Sequence, residues 1–360
     1  MLENKQRNYK YDALRGICMF LIVLQHFLFK GGYHFTDKTG FLIYVGIDMF
    51  TMQTFFFLSG MFSKNPDKNR DKLFSSLLWP VIIAGLVYWP LIIEQKGLEF
   101  AVMRFKAGVL PYATWFLVVL FVYRYFQKYY AKNAQLPLIA LTLYFVSGIF
   151  DPLSGKGFAV SRMCTFFISF VMGYKMTMEQ VERYRLRSVW KIALLGIALV
   201  LVTVGTVYYL PDNVAVAIRL KASFHATGMT ILEGVLVRAG LLLVSTGWML
   251  FFFSILPDKK GLWAHIGMNT MPIYLFHLVL VGVFKLYKGF TFGYFDFKGY
   301  GTLYLICLFI ISMIVTLLLS TKPAAKVYHI VFDGTYSLVS RAFHRDFRSL
   351  KPVQRKIEKT

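Results

Sequence analysis

The sequence predicts an all-α protein, a polytopic bundle of transmembrane helices with about ten spans. Hydrophobic residues make up 57% of the 360 residues and charged residues only 16%, whereas soluble domains have roughly 45–50% and about 25%. The apolar residues form runs of roughly 16–22 residues, the length of a helix that crosses about 30 Å of hydrocarbon. These runs predict spans at about 11–29, 41–62, 73–93, 112–130, 136–150, 158–176, 189–209, 232–256, 266–286 and 302–320.

The basic residues predict how the chain is oriented in the membrane. If the N-terminus is cytoplasmic, the loops on that side hold about twice as many Lys and Arg residues as the loops on the other side, as the positive-inside rule requires. An even number of spans returns the basic C-terminal segment to the cytoplasm. We therefore expect both termini to be cytoplasmic, with a transmembrane domain over 1–320 and a basic cytoplasmic tail over 321–360.

The formal net charge of +22, from 40 Lys and Arg against 18 Asp and Glu, bears on the partners. No nucleic-acid-binding motif accompanies it, so we expect no nucleic acid partner. The charge fits attraction to anionic membrane lipids, and it is compatible with a polyanionic substrate. Cys18, Cys164 and Cys307 each lie inside an apolar run without metal-ligand spacing, so we predict no metal site.

The first predicted helix carries charged and polar residues at bilayer depth, where a charge costs about 2.5–3.5 kcal/mol or more. Arg15 and His26 are eleven positions apart, which on a helix returns to within about 20° of the same face. Met19 and Ile22 complete this stripe, and Asp12 lies within about 60° of Arg15. His26 is roughly 16 Å further along the helix axis. The stripe predicts a cavity with a cationic end and a histidine deeper inside.

Other polar residues fall in later predicted helices. Trp115 begins the fourth helix, Arg162 lies near one end of the sixth, and Asn269, Tyr274 and His277 lie in the ninth. A basic loop follows the second helix, with Lys64, Lys68, Arg70 and Lys72. From the residues alone, a transporter, a membrane transferase and a scaffold subunit all remain open.

Five segments, in order, resemble the acyltransferase 3 family, membrane-bound O-acyltransferases of bacteria. The single-domain layout is most similar to the fucose 4-O-acetylase-like branch of that family. The resemblance covers about 10–320. Its segments are Tyr11–Gly16 with the later His26, Phe55–Gly60, Trp115–Leu117, Arg162–Tyr174 and Gly267–His277.

The resemblance implies an acyltransferase that transfers groups other than aminoacyl groups. It would be an O-acetyltransferase that moves an acetyl group from the co-substrate acetyl-CoA to a hydroxyl of a cell-envelope glycan or lipid-linked saccharide. The alternative is a saccharide transporter that uses the same polar cavity without covalent chemistry. The implied location is the bacterial cytoplasmic (inner) membrane, and a homo-oligomer is allowed.

Each candidate site residue has an expected role under this resemblance. His26 is the expected general base, supported by Asp12 and Arg15, because a neutral imidazole can take the proton of the attacking hydroxyl. The CoA phosphates are expected at the cationic end of the cavity, and the acceptor or the developing oxyanion at polar residues deeper in the bundle. The expected CoA-binding residues are Arg15, Lys64, Lys68, Arg70 and Lys72, and the expected substrate-binding residues are Trp115, Arg162, Asn269, Tyr274 and His277.

Overall fold

The computed structural model describes residues 7–31, 38–67, 70–150, 159–286, 291–292, 295–296 and 301–342. All long elements within these ranges are helices, and one hairpin pairs β1 (Thr291–Phe292) with β2 (Phe295–Asp296). The helices are α1 (Tyr9–Gly31), α2 (Lys38–Asp48), α3 (Thr51–Met61), α4 (Trp79–Lys96), α5 (Leu98–Lys106), α6 (Trp115–Tyr130), α7 (Leu136–Val146), α8 (Val160–Lys175), α9 (Met178–Tyr184), α10 (Val189–Tyr209), α11 (Asp212–Ile218), α12 (Ile231–Ile255), α13 (Leu262–Met268), α14 (Thr270–Leu286), α15 (Thr302–Leu319) and α16 (Lys322–Tyr328).

The prediction of a helical membrane protein is confirmed, because the described residues include six helical segments that are long and apolar enough to span a bilayer. The pair α13–α14 makes a seventh if it is counted as one span, although the two helices are bent by 83°. Helices α6, α7 and α8 coincide with three further predicted spans but have only 16, 11 and 16 residues. The count of ten therefore stays a prediction. The six segments are Tyr9–Gly31, Lys38–Met61, Phe74–Lys96, Val189–Tyr209, Ile231–Ile255 and Thr302–Leu319.

Helix α1 occupies the centre of the bundle. It is buried on several faces, with Tyr11, Leu14, Cys18 and Val23 fully enclosed, and it packs against α3, α13, α14 and α15. Helices α10 and α12 lie at the periphery, where many of their Leu, Ile and Val side chains are exposed. An apolar surface of this kind is stable against lipid tails, so it indicates the part of the bundle that faces the bilayer.

Two helix pairs approach closely enough for their backbones to touch. A methyl group added at Gly173 of α8 would overlap the Phe57 carbonyl of α3, and one added at Gly60 would overlap the Phe170 carbonyl of α8. Gly16 of α1 and Gly267 of α13 form the same kind of backbone contact between their two helices. Small residues permit such contacts in membranes, where helix association depends on close packing.

The segment between α10 and α12 is ordered and packed against the bundle. Its helix α11 buries Val214 and Ile218. The Phe224 amide donates to the Gly148 carbonyl at 2.7 Å, and the buried Arg238 of α12 donates to Ser147 Oγ at 2.9 Å while lying over the Phe224 ring. This segment is therefore fixed over one end of the bundle.

The start of the predicted tail also packs on the bundle. After α16 the chain stays helical to residue 342, and Trp79 donates its indole N–H to Thr335 Oγ1 at 3.0 Å. Phe332 is buried and lies 6.0 Å from the Phe276 ring of α14. Residues 343–360 of the tail lie outside the described residues.

The close contact between α3 and α8 predicts that an added methyl group destabilises the protein at this contact but not at a glycine with open space around it. Gly173→Ala should destabilise the protein by about 1–3 kcal/mol or more, because the backbone of Phe57 cannot move aside easily. The matched control is Gly240→Ala in α12, where nothing lies within 4 Å of the added group. That variant should be neutral or slightly stabilised, since Ala favours helix by about 1 kcal/mol over Gly.

Scanning fluorimetry of the purified protein in detergent measures both variants. Equal apparent melting temperatures for Gly173→Ala and Gly240→Ala would show that the two backbones are not in contact.

Candidate functional site

One face of α1 lines a cavity of about 490 Å³ that we call the Arg15 cavity. Arg15, Met19, Ile22 and His26 all contribute to its wall, so the stripe recognised in the sequence lies along a single opening. Further walls come from α2, α3, α6, α8 and α14. Bundling these helices around α1 gives its charged and polar residues a common space away from lipid.

An ion network around Asp12 fixes the charged side chains at one end of the Arg15 cavity. The Asp12 carboxylate accepts from Arg7 Nε at 2.6 Å and lies 3.7 Å from Arg15 Nη1. The Arg15 guanidinium also lies over the Phe62 ring, 5.0 Å from its centroid. Because one carboxylate serves two guanidinium groups, positive charge remains for an anion at this end of the cavity.

His26 has one ring nitrogen committed to the backbone. Its Nδ1 lies 2.8 Å from the Ile22 carbonyl oxygen, and a carbonyl can only accept, so Nδ1 carries the proton. In the neutral ring, Nε2 then holds the free lone pair. The backbone of α1 thus selects the tautomer that can receive a proton at Nε2.

His277 of α14 packs against His26, with ring centroids 5.2 Å apart and the planes at 62°. It is fully buried, and its Nδ1 lies 2.7 Å from the Ile273 carbonyl oxygen. Its Nε2 has no hydrogen-bond partner within the described part of the chain. His277 stands behind His26 rather than in the wall of the Arg15 cavity.

Arg162 and Trp115 form a second pair in the cavity wall. The guanidinium carbon of Arg162 lies 4.1 Å from the centroid of the Trp115 ring, within the range of a cation–π contact. Tyr274 also lines the cavity, and its hydroxyl donates to the Ala113 carbonyl. The structure therefore brings Arg15, His26, Trp115, Arg162 and Tyr274 to one cavity.

A second cavity, of about 650 Å³, adjoins the first at the other end of α1; we call it the Lys30 cavity. Its walls include Lys30 at the end of α1, Lys96 at the end of α4, and the segment from α5 to α6. The two cavities share eight lining residues: Gln25, His26, Tyr44, Ala113, Trp115, Arg162, Arg219 and Lys221. His26 therefore stands where an opening from one end of the bundle meets an opening from the other.

The remaining predicted residues lie elsewhere. Lys64 Nζ donates to the Gly173 carbonyl at 2.9 Å and to the carbonyls of Tyr174 and Met176, so it closes the end of α8. Arg70 lies over the Tyr125 ring at 4.6 Å, and Lys72 is exposed. Asn269 donates to the His265 carbonyl at 2.9 Å in the break between α13 and α14. Lys68 lies outside the described residues.

Sequence reasoning missed four charged residues that line the Arg15 cavity. Asp48 of α2 forms an ion pair with Arg219 at 3.6 Å, and Lys221 lies two positions further on. Arg124 of α6 lines the Arg15 cavity. Asp48 and Arg124 each interrupt an apolar run, which was an available signal. Arg219 and Lys221 belong to the segment before α12, whose placement no periodicity reveals.

A family model described as an acyltransferase domain matches residues 8–321. The chain belongs to the acyltransferase 3 family. The match takes in the Lys30 cavity and every lining residue of the Arg15 cavity except Tyr328, and it supports a membrane acyltransferase in general. Comparisons with curated proteins and with solved structures find no match.

Several cationic side chains lie close together where the two cavities of this acyltransferase 3 protein meet, and they affect the pKa of Lys221. Burial, together with the charges of Arg162 and Arg219, lowers the pKa of Lys221 to about 8, against an opposing effect of Asp48. We expect an amine-acylating reagent to label Lys221 half-maximally near pH 8, since only the neutral amine reacts. Arg162→Gln should move this midpoint upward by removing a neighbouring positive charge.

Peptide mass spectrometry of protein labelled at a series of pH values gives the midpoint. The same lysine in detergent-denatured protein is the control and should titrate near its ordinary 10.5. Coincident profiles for folded and denatured protein would contradict the placement of Lys221 beside Arg162.

Proposed function

We propose that this protein is an integral-membrane O-acyltransferase. It transfers an acyl group, acetyl by default, from acyl-CoA to a hydroxyl of a cell-envelope glycan or glycolipid, as in the fucose 4-O-acetylase-like branch. It would cross the bacterial cytoplasmic membrane ten times, with both termini in the cytoplasm. The observation that carries the proposal is the position of His26 in the walls of both cavities, because it allows a donor and an acceptor to arrive from opposite ends.

The Arg15 cavity would take the acyl donor. In the proposed orientation it opens to the cytoplasm, where acyl-CoA is made. Arg15 and Arg124 line it, and guanidinium groups pair well with phosphates. The rise from Arg15 to His26, about 16 Å along α1, leaves length for the extended arm of CoA. The thioester would then lie beside the imidazole.

The chemistry at His26 is a single acyl transfer. The acceptor hydroxyl gives its proton to His26 Nε2 while its oxygen forms a bond to the thioester carbonyl carbon. The tetrahedral intermediate collapses with cleavage of the carbon–sulfur bond. The sulfur leaves with the proton that His26 had taken, so the products are an ester and free CoA thiol, and the imidazole returns to its neutral form.

Neighbouring residues would support this step. Arg162 lines both cavities, so its guanidinium can stabilise the negative oxygen of the intermediate. Trp115 offers a ring against which a sugar face can pack, and Tyr274 fixes the wall through Ala113. His277 holds the His26 ring from behind, and Asn269 shapes the break before α14. No observation favours the saccharide transporter.

Replacement of His26 tests the proposal most directly. His26→Gln should lower acyl transfer by about 10²- to 10⁴-fold, since the general base is lost, while the protein still binds acetyl-CoA. The assay follows free CoA thiol released by protein in lipid nanodiscs, with and without a saccharide extract of the cell envelope. His265→Gln, an exposed histidine of α13, is the control and should retain activity.

Thiol release that is unaffected by His26→Gln would remove His26 as the base. Thiol release that never depends on the saccharide would argue against acyl transfer altogether.

The donor site makes a separate prediction. Arg15→Gln and Arg124→Gln should each weaken CoA binding about tenfold, the effect expected of one charge-assisted contact to phosphate. Arg183→Gln removes an exposed charge on α9 away from both cavities and should leave binding unchanged. Isothermal titration with CoA measures all three. If Arg183→Gln weakened CoA binding by the same factor, the change in net charge would explain the loss without any contact to phosphate.

A further inference from the structure

The Lys30 cavity carries an unusual balance of charge. Six cationic side chains line it, and no acidic residue does so within the described ranges. Asp48 lies outside its wall and forms an ion pair with Arg219. The other five have no ion pair with a described carboxylate. The six are Lys30, Lys96, Arg104, Arg162, Arg219 and Lys221.

Lys30 and Arg104 lie against aromatic rings and form no ion pair with a described carboxylate. Lys30 Nζ is 5.1 Å from the centroid of the Tyr112 ring, and the Arg104 guanidinium is 5.5 Å from that of Phe100. Arg104 Nε is buried without a hydrogen-bond partner among the described residues. The pKa of Lys221 is lowered first by burial and then by the nearby charges of Arg162 and Arg219, which share a confined space with it. A bound polyanion would relieve this repulsion.

The polar groups of the cavity fit phosphate better than they fit an uncharged sugar. Sugar hydroxyls need acceptors as well as donors, and carboxylates are the strongest acceptors, yet this wall has none in the described ranges. A single carboxylate on the ligand would balance only one of the five cations that have no carboxylate partner. A phosphodiester or pyrophosphate offers several oxygens that accept from Arg and Lys together.

We propose that the acceptor is a phosphorylated saccharide, and that the Lys30 cavity binds its phosphate while the sugar hydroxyl reaches His26. This inference rests on the proposed acyltransferase function and names its acceptor class. Lys96 and Arg104 line the Lys30 cavity but not the Arg15 cavity, and they bind the phosphate at the end far from His26. Arg162, Arg219 and Lys221 continue the positive wall to the junction, and Trp115 lies beside it for the sugar ring.

Binding by the full-length protein in nanodiscs tests the proposal with defined probes. Isothermal titration compares glucose 1-phosphate with methyl glucoside, which is neutral, and with methyl glucuronide, which carries one carboxylate. A prenyl-phosphate-linked glucose forms a fourth arm. Glucose 1-phosphate should bind about tenfold or more tightly than either unphosphorylated probe. Tighter binding of the prenyl form indicates a lipid-linked acceptor, and equal binding indicates a soluble or polymeric one; both outcomes support the proposal.

Variants locate the site. Lys96→Gln combined with Arg104→Gln should weaken binding of glucose 1-phosphate about tenfold and leave binding of acetyl-CoA unchanged. Lys106→Gln, an exposed residue of α5 outside the cavity wall, is the matched control and should bind glucose 1-phosphate as the wild type does.

Three outcomes would overturn the inference. They are equal binding of neutral and phosphorylated probes, full binding by the double variant, and displacement of glucose 1-phosphate by CoA, which would assign the cavity to the donor. Each can occur while His26-dependent release of CoA thiol persists. Failure of the acceptor assignment is thereby separated from failure of the acyltransferase proposal.

Discussion

The rotation of α1 about its own axis depends on a backbone contact. Gly16 packs against the Trp263 carbonyl and Gly267 against the Asp12 carbonyl, so α1 and α13 meet without intervening side chains. With that face of α1 fixed, Arg15 and His26 must point into the bundle, and Asp12 is held where it can reach two guanidinium groups. A side chain at either glycine would rotate or displace α1, and Arg15 and His26 would move with it.

Much of α1 could be predicted from the sequence because helical geometry is local. The spacing of Arg15 and His26 gives their common face, and both line one cavity. The resemblance to the acyltransferase 3 family pointed to Arg162 and Tyr274, which reach the same cavity. Arg162 and Tyr274 lie on the apolar helices α8 and α14, and the burial pattern of apolar membrane helices is strongly constrained by the bilayer.

Other features depend on contacts between distant segments and could not be read from periodicity. The segment that carries Arg219 and Lys221 is held by Arg238, which lies over the Phe224 ring, and by a backbone bond from Phe224 to Gly148. Arg238 and Phe224 in turn connect the segment to Ser147 and Gly148, more than seventy residues earlier in the sequence. Lys64 resembled a free basic residue in a loop, yet three carbonyls at the end of α8 take up its donors. In both cases tertiary partners, not local pattern, decide where the charge lies.

The break at Asn269 turns α14 away from α13 by 83°, and residues Thr270 and Met271 then form part of the wall of the Arg15 cavity. The first amides of a helix have no partner within the helix and carry the positive end of its dipole. The kink thus places the first turn of α14, the positive end of its dipole, in the wall that also holds Arg15 and His26. Electrostatic attraction there comes in part from peptide groups, which remain polarised at any pH and which no single side-chain replacement removes.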